Sequence, residues 1–252
     1  MKIKYLGTAA SEGWPALFCH CEPCNKAMEL GGKNIRTRQQ AIINDDLMFD
    51  LGPDTFMHMI EHKFDLSNIE TLLVTHSHCD HWIPLELSMR GDVYAYNMGK
   101  PVMTVYGNDV ICNDLINRRR DYNDINDSVA IRHILPFEPF KAGKYTVTAL
   151  RGNHMEDENC YIYLVEDGEK CMLYAHDTWE FFDDTYAYLK DKHVDFASFD
   201  CTLQNTEIGG GHMALPNNAR VEKKLRELNC FDDHTTIVVS HFSHNGHLLH
   251  AL

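Results

Sequence analysis

Short runs of apolar and β-branched residues recur along the chain, and the longest uninterrupted one is the six residues Cys160–Val165. Runs of this length, closed by polar or turn-forming residues, predict strands. They fall at Lys2–Leu6, Gln40–Ile43, Leu47–Phe49, Thr71–Val74, Val102–Tyr106, Ala130–Leu135, Tyr145–Leu150, Tyr161–Val165, Cys171–Tyr174, Asp195–Phe199 and Thr236–Val239. Helix-like stretches lie between some of them, at Thr55–His62, Trp82–Met89, Asp109–Arg120, Trp179–Lys190 and Ala214–Leu228. The first half runs largely strand after strand, and then helix and strand alternate. Two sheets with helices on their outer faces accommodate both halves. No composition shift, Ser/Gly-rich linker or internal repeat divides the chain, so one domain over residues 1–252 is expected.

Composition narrows the function classes. The 252 residues carry 23 Lys+Arg against 37 Asp+Glu, a formal charge of −14. That balance argues against general nucleic-acid binding and against attraction to an anionic membrane. No apolar run is long enough for a bilayer-spanning helix. Met1-Lys2-Ile3-Lys4-Tyr5 reads as the start of a strand and not as a signal peptide. Nine cysteines without regular spacing suit a reducing cytosol better than a disulfide framework, so a cytoplasmic location is expected. The 16 His outnumber even the 15 Gly. Many histidines and thiols in a reduced, acidic protein suggest metal.

The densest set of candidate ligands is Thr71-Leu-Leu-Val-Thr75-His76-Ser77-His78-Cys79-Asp80-His81. His76 and His78, two apart at a strand end, project to the same side. The turn that follows can aim Asp80 and His81 at a second point, so one loop can serve two cations. Imidazole and carboxylate suit Zn²⁺, Mn²⁺ or Fe²⁺.

This segment resembles the signature of the metallo-β-lactamase superfamily. The resemblance implies a His after a later strand, met by Leu150-Arg-Gly-Asn-His154, an Asp closing another, met by Leu173-Tyr-Ala-His-Asp177, a final His, met by Ile237-Val-Val-Ser-His241, and an early Asp, met by Met48-Phe-Asp50-Leu-Gly52. The resemblance implies a four-layer αββα sandwich and a hydrolase with two divalent cations, zinc or manganese. It implies that His76, His78 and His154 hold one cation, that Asp80, His81 and His241 hold the other, and that Asp177 bridges them. Asp50 is implied to brace the ligand loop from behind. A water shared by two dications reaches a pKa near neutrality, which supplies a nucleophilic hydroxide. His176, adjacent to Asp177, should point the other way, as a structural or solvent-facing residue.

Phe18-Cys19-His20-Cys21-Glu22-Pro23-Cys24 places three thiols within reach of one tetrahedral zinc and leaves one corner open. The cluster resembles that of the PhnP-type cyclic phosphate phosphodiesterases of the phosphonate pathway. That resemblance implies His244 as the fourth ligand, in Ser240-His241-Phe242-Ser243-His244, with His20 and His247 as alternatives. The 18–24 segment is then a structural zinc loop. The other six cysteines, Cys79, Cys112, Cys160, Cys171, Cys201 and Cys230, read as small hydrophobes, with the Cys79 side chain turned away from the ligands beside it.

Asp200-Cys-Thr202, followed by Gly209-Gly-Gly-His212, leads into the helix at Ala214. By the same resemblance His212 contacts a phosphoryl oxygen or protonates the leaving alkoxide, and it stands with Asp80 as a candidate catalytic residue. The expected partner is a small or cyclic phosphodiester. Long nucleic acid is disfavoured because no basic arm is visible, and Arg118-Arg119-Arg120, flanked by Asp114, Asp121 and Asp124, reads as a solvated helix end. Competing readings are a lactone or thioester hydrolase of the same fold, a tRNA 3′-end nuclease, and an accessory protein like those of pyrroloquinoline-quinone (PQQ) biosynthesis, which share the N-terminal cysteine motif. A homodimer is left open. His247–Leu252 reads as the beginning of a helix that relatives continue.

Overall fold

The computed structural model describes residues 1–91, 93–121, 127–206 and 209–250. They form two compact units, one of Met1–Gly7 with Gln40–Leu135, the other of Thr8–Gln39 with Pro136–Leu252.

The first unit holds one six-stranded sheet: β1 (Ile3–Gly7), β2 (Gln40–Ile43), β3 (Leu47–Phe49), β4 (Thr71–Leu73), β5 (Met103–Gly107) and β6 (Val129–His133), in that spatial order. β1, β2 and β3 pair antiparallel, and β3 to β6 run parallel. The parallel strands are near-continuous apolar runs, as expected for strands covered on both faces. Ile42, Met48, Leu72, Val74, Val105 and Ile111 form their core. Helices α2 (Thr55–His62) and α3 (Asp109–Asp121) belong to this unit.

The second unit holds the other sheet: β7 (Phe140–Ala142), β8 (Tyr145–Arg151), β9 (Tyr161–Glu166), β10 (Cys171–Ala175), β11 (Phe196–Asp200) and β12 (Thr236–Ser240), in the spatial order β12-β11-β10-β9-β8-β7. β7 to β10 pair antiparallel, and β10, β11 and β12 run parallel. Its helices are α1 (Glu22–Leu30), α4 (Asp183–Leu189) and α5 (Leu215–Glu227).

Several predicted elements shift. Trp82–Met89 is not an α-helix: a 3₁₀ segment begins at Pro84, because the residue before a proline is pushed out of the helical region. Trp179–Lys190 shortens to α4, which starts only where Asp183 and Asp184 supply acidic residues to a first turn. β7 and α1 were not anticipated. β7 is three residues long, and α1 is hidden by its cysteine, proline and charges. At the C-terminus a 3₁₀ turn at His244–Gly246 stands near the expected helix start, and residues 251–252 lie outside the described ones.

In each unit the parallel strands end at a common edge. The pairings Phe49↔Leu73 and Asp200↔Ser240 align strand ends, so the residues just beyond them gather there. Crevices at the carboxyl ends of parallel strands are where open α/β sheets place their ligands.

Candidate metal centre

In the first unit Asp50 follows β3 with φ 62°, a left-handed conformation that turns the chain at the strand end. Its carboxylate is fully buried and bonded on both oxygens. Oδ1 accepts the Thr75 backbone N–H at 2.8 Å and the Thr75 hydroxyl at 3.0 Å. Oδ2 accepts from His81 Nδ1 at 2.8 Å. Because the Thr75 hydroxyl proton points to Asp50, His76 Nδ1 must donate to Thr75 Oγ1, 3.0 Å away. Both imidazoles are thereby fixed as Nδ1–H tautomers with Nε2 lone pairs outward. His81 Nε2 lies 3.0 Å from Asp80 Oδ2, and His76 Nε2 lies 2.9 Å from His78 Nδ1.

Asp80 is held through its backbone. The Leu51 N–H donates to the His81 carbonyl at 2.8 Å, and the Ile83 N–H donates to the Leu51 carbonyl at 2.7 Å. A Cβ at Gly52 would come within 2.1 Å of the Asp80 carbonyl oxygen, so only glycine permits the approach. The ligand loop and the turn after β3 are thus clamped face to face.

The second unit repeats the device. Asp200, at the end of β11, accepts the backbone N–H groups of Thr202 at 3.0 Å and Met213 at 2.8 Å on Oδ1. Oδ2 accepts the Asp177 N–H at 3.2 Å and the Thr202 hydroxyl at 2.9 Å. His241 Nδ1 stands 2.7 Å from Thr202 Oγ1, and His212 Nδ1 stands 3.2 Å from Asp200 Oδ2 and 3.2 Å from Asp177 Oδ1. His241 Nε2 faces Asp177 Oδ2 at 3.2 Å. Both residues occupy left-handed backbone positions, φ 48° for Asp177 and 65° for His241. One ligand atom from each of Asp177, Asp200, His212 and His241 falls within 4.8 Å of the others. His154 joins this edge: its Nδ1–H donates to the Gly211 carbonyl at 2.9 Å, and its ring centroid lies 4.8 Å from that of His212.

Electrostatics separates His212 from its neighbours. Burial acts to lower its pKa, but the Asp200 hydrogen bond and the Asp200 and Asp177 charges outweigh it, and the net direction is upward. Its side chain is 28% exposed, whereas those of Asp177, Asp200 and His241 are 3% or less. His212 is therefore the imidazole of this group that opens to solvent. His176 turns away, as expected, and pairs through Nε2 with Ser198 Oγ at 2.7 Å inside the sheet.

A second cluster lies wholly in the second unit. Ligand atoms of Cys19, Cys21, Cys24 and His244 fall within 4.8 Å of one another. His244 Nδ1 is 3.3 Å from Cys21 Sγ and 3.8 Å from Cys19 Sγ. His20 and His247, the alternatives, are exposed and outside this group. Cys24 belongs to the first turn of α1 rather than to the loop before it. Burial pushes its thiol up to about 12, so without a cation Cys24 keeps its proton, and only a bound cation would favour its thiolate. Ala9, Trp14, Ala16, Ala27 and Leu249 pack around the cluster. All nine cysteines are free thiols; Cys79 is exposed, and Cys112, Cys160, Cys171, Cys201 and Cys230 are buried. Arg118 pairs with Asp114 at 3.1 Å on its own helix, as a solvated helix end does, while the side chains of Arg119, Arg120 and Asp121, and Asp124 itself, lie outside the described residues. Among the described residues no helix is long and apolar enough to cross a membrane.

Sequence reasoning anticipated Asp50 as a brace but missed Asp200 and Thr202, although Asp200 also closes an apolar strand. Nor does the sequence show that the Gly211 carbonyl, at the end of Gly209-Gly-Gly211, orients His154. In each unit the clustered buried imidazoles and carboxylates are donors suited to divalent metal.

Comparison with known proteins bears on the fold and the family. No curated protein matches the chain. A diphosphatase from the PhnP family superposes with a TM-score of 0.72 at 16% identity, covering 96% of this chain and 86% of that one. YhfI from Bacillus subtilis, a metallo-β-lactamase fold protein, gives 0.67 at 16% identity, with 97% and 89% covered. Zn²⁺-bound PqqB from Methylobacterium extorquens gives 0.66 at 16% identity, with 96% and 98% covered. These likenesses establish the metallo-β-lactamase fold, in agreement with the expected α/β sandwich. The profile of one family, Anti-Pycsar protein Apyc1, matches residues 39–231, most of the sequence, and the chain belongs to that family.

Proposed function

We propose that this protein is a dinuclear-metal hydrolase of small or cyclic phosphodiesters. His76, His78 and His154 would hold one divalent cation, Asp80, His81 and His241 the other, and Asp177 both. Bound there, two dications would bring the pKa of a shared water toward neutrality and neutralise charge on the phosphoryl oxygens. Zinc and manganese both suit the donor set. The chain's own contribution is to fix imidazole tautomers through Asp50, Thr75 and the Gly211 carbonyl, so that Nε2 atoms stand ready without reorganisation. Cys19, Cys21, Cys24 and His244 would hold a structural zinc that takes no part in the chemistry.

The observation that carries the phosphodiester reading is His212. It is partly exposed beside the buried carboxylates Asp177 and Asp200, and its Nδ1 is tied down by them. Nε2 is left to donate a proton to a departing alkoxide or to bind a phosphoryl oxygen. The PhnP-family neighbour is itself a diphosphatase, which supports phosphorus chemistry on this fold. Six free thiols beside the three proposed zinc ligands fit a reducing, cytoplasmic setting.

Side-by-side assays of metal-loaded protein on an activated phosphodiester, a thioester and a lactone test the reading. Turnover of the diester, lost in His212→Ala with both catalytic metals retained, is expected. Fast turnover of a carboxyl substrate with no diesterase activity would overturn it.

A further inference from the structure

We infer that the Thr202 hydroxyl is a positioning group that locks His241 as its Nδ1–H tautomer and so presents the Nε2 lone pair to a divalent cation. The inference rests on the metal-ligand role proposed above for His241 and adds the residue that makes that role possible.

The assignment follows from counting protons. Thr202 Oγ1 lies 2.9 Å from Asp200 Oδ2 and 2.7 Å from His241 Nδ1. A buried carboxylate whose other contacts are all donors has no proton to give, so the single hydroxyl proton goes to Asp200. The contact to His241 then needs a proton from the imidazole, and Nδ1 must carry it. Asp200 Oδ2 itself is 3.5 Å from His241 Nδ1, beyond good hydrogen-bond reach, so the hydroxyl is the acceptor that holds the tautomer. In a ring protonated at Nδ1 alone, Nε2 is the electron-pair donor. It faces the Asp177 carboxylate oxygen at 3.2 Å, an approach of two lone-pair bearers that a cation between them would make favourable.

An independent copy of the arrangement in the other unit supports the inference. Thr75 Oγ1 donates to Asp50 Oδ1 at 3.0 Å and accepts from His76 Nδ1 at 3.0 Å. In both units an aspartate closing a parallel strand holds a threonine, which in turn orients a buried histidine. Both aspartates also hold a second imidazole directly, His81 in one case and His212 in the other. Each threonine has one further imidazole neighbour, His81 Nδ1 at 3.4 Å from Thr75 and His212 Nδ1 at 3.3 Å from Thr202, and each of those imidazoles keeps its own bond to the aspartate.

Long-range ¹H–¹⁵N spectra of the metal-free protein read the His241 tautomer directly. The Nδ1–H form is expected in the wild type and in Thr202→Ser, and the Nε2–H form should appear in the isosteric Thr202→Val. Calorimetric titration with Mn²⁺ should then show one of two sites weakened about 10- to 100-fold in Thr202→Val and restored in Thr202→Ser. Thr202→Ala, which adds no methyl beside Asp200, replaces the valine variant should the latter not fold. An unchanged tautomer in the hydroxyl-free variants, or unchanged Mn²⁺ affinity at both sites, would overturn the inference. If the wild type bound no Mn²⁺ or Zn²⁺ at all, the metal reading would fall, while the tautomer spectra would still decide what Thr202 does.

Discussion

Asp50 and Asp200 show what a single residue contributes here and how far it can be read in one dimension. Each is buried, closes a strand and spends its oxygens on a threonine and on imidazoles. Asp50 stands out in the sequence because a ligand-rich loop follows the next strand. Asp200 does not, because its partners Asp177 and His241 are reached only through the parallel register of β10, β11 and β12. Removing the proposed bridging carboxylate tests this scale: Asp177→Ala should abolish turnover and lower the content of both catalytic metals by elemental analysis. A second residue-scale prediction concerns His58, which is outside the proposed ligand set and reaches the Asp50 backbone through Gln40. Its Nδ1–H donates to Gln40 Oε1 at 2.7 Å, and burial lowers its pKa from 6.5 to about 4. The unfolded chain therefore binds the proton first as the pH drops, so this stabilisation is complete above 6.5 and is lost toward 4. Relative to His58→Gln, the wild type should lose up to about 3 kcal/mol between pH 7 and pH 4 in denaturant melts. Carboxylate titration is common to both proteins and cancels. A constant difference across that range would show that His58 titrates normally.

At the scale of elements, strands were more legible than helices. Strands here are short apolar runs flanked by turn residues, and their buried faces leave a pattern that no loop imitates. Trp82–Met89 has a helical pattern too, yet Pro84 dictates a 3₁₀ segment. α1 escaped because its apolar positions are few and Cys24 takes one of the two buried places. The turn after β3 was legible as Asp50-Leu-Gly52, but not the reason for its glycine. Any side chain at Gly52 collides with the Asp80 carbonyl, which is backbone and cannot swing aside. Gly52→Ala should cost about 1–3 kcal/mol of stability, the usual range for overpacking, and should also lower metal content by displacing Asp80 and His81. A variant of normal stability and metal content would mean that the clamp does not position the loop. The cysteine cluster tests the opposite case, an element that matters to the fold alone. Cys21→Ser should lower the melting temperature and the occupancy of a third metal while the catalytic pair stays bound. Lost activity with stability and zinc content untouched would contradict a structural zinc.

For the whole molecule, charge decides which phosphodiesters are accessible. The chain carries −14 in total, and bound dications would remove only part of that deficit. A small diester needs to meet only the local field of the metals and His212, over distances shorter than the roughly 10 Å screening length at 0.1 M salt. A structured RNA samples the surface at large. A protein that grips RNA releases a counterion for each phosphate it neutralises, which makes the log–log plot of affinity against salt steeply negative. Several basic side chains are already committed to carboxylates. Arg118, Arg151 and Arg220 are each engaged by a carboxylate, Asp114, Asp184 and Glu180. Binding of a tRNA-sized RNA should therefore be weak at low salt and should show a slope near zero between 50 and 200 mM, about the range over which phosphate-gripping proteins lose several decades. Hydrolysis of the small diester should persist across the same range. A slope of about −4 or steeper would reveal a basic surface that neutralises several phosphates. The acidic composition would then no longer disfavour long nucleic acid, and the nuclease reading would have to replace the small-diester one.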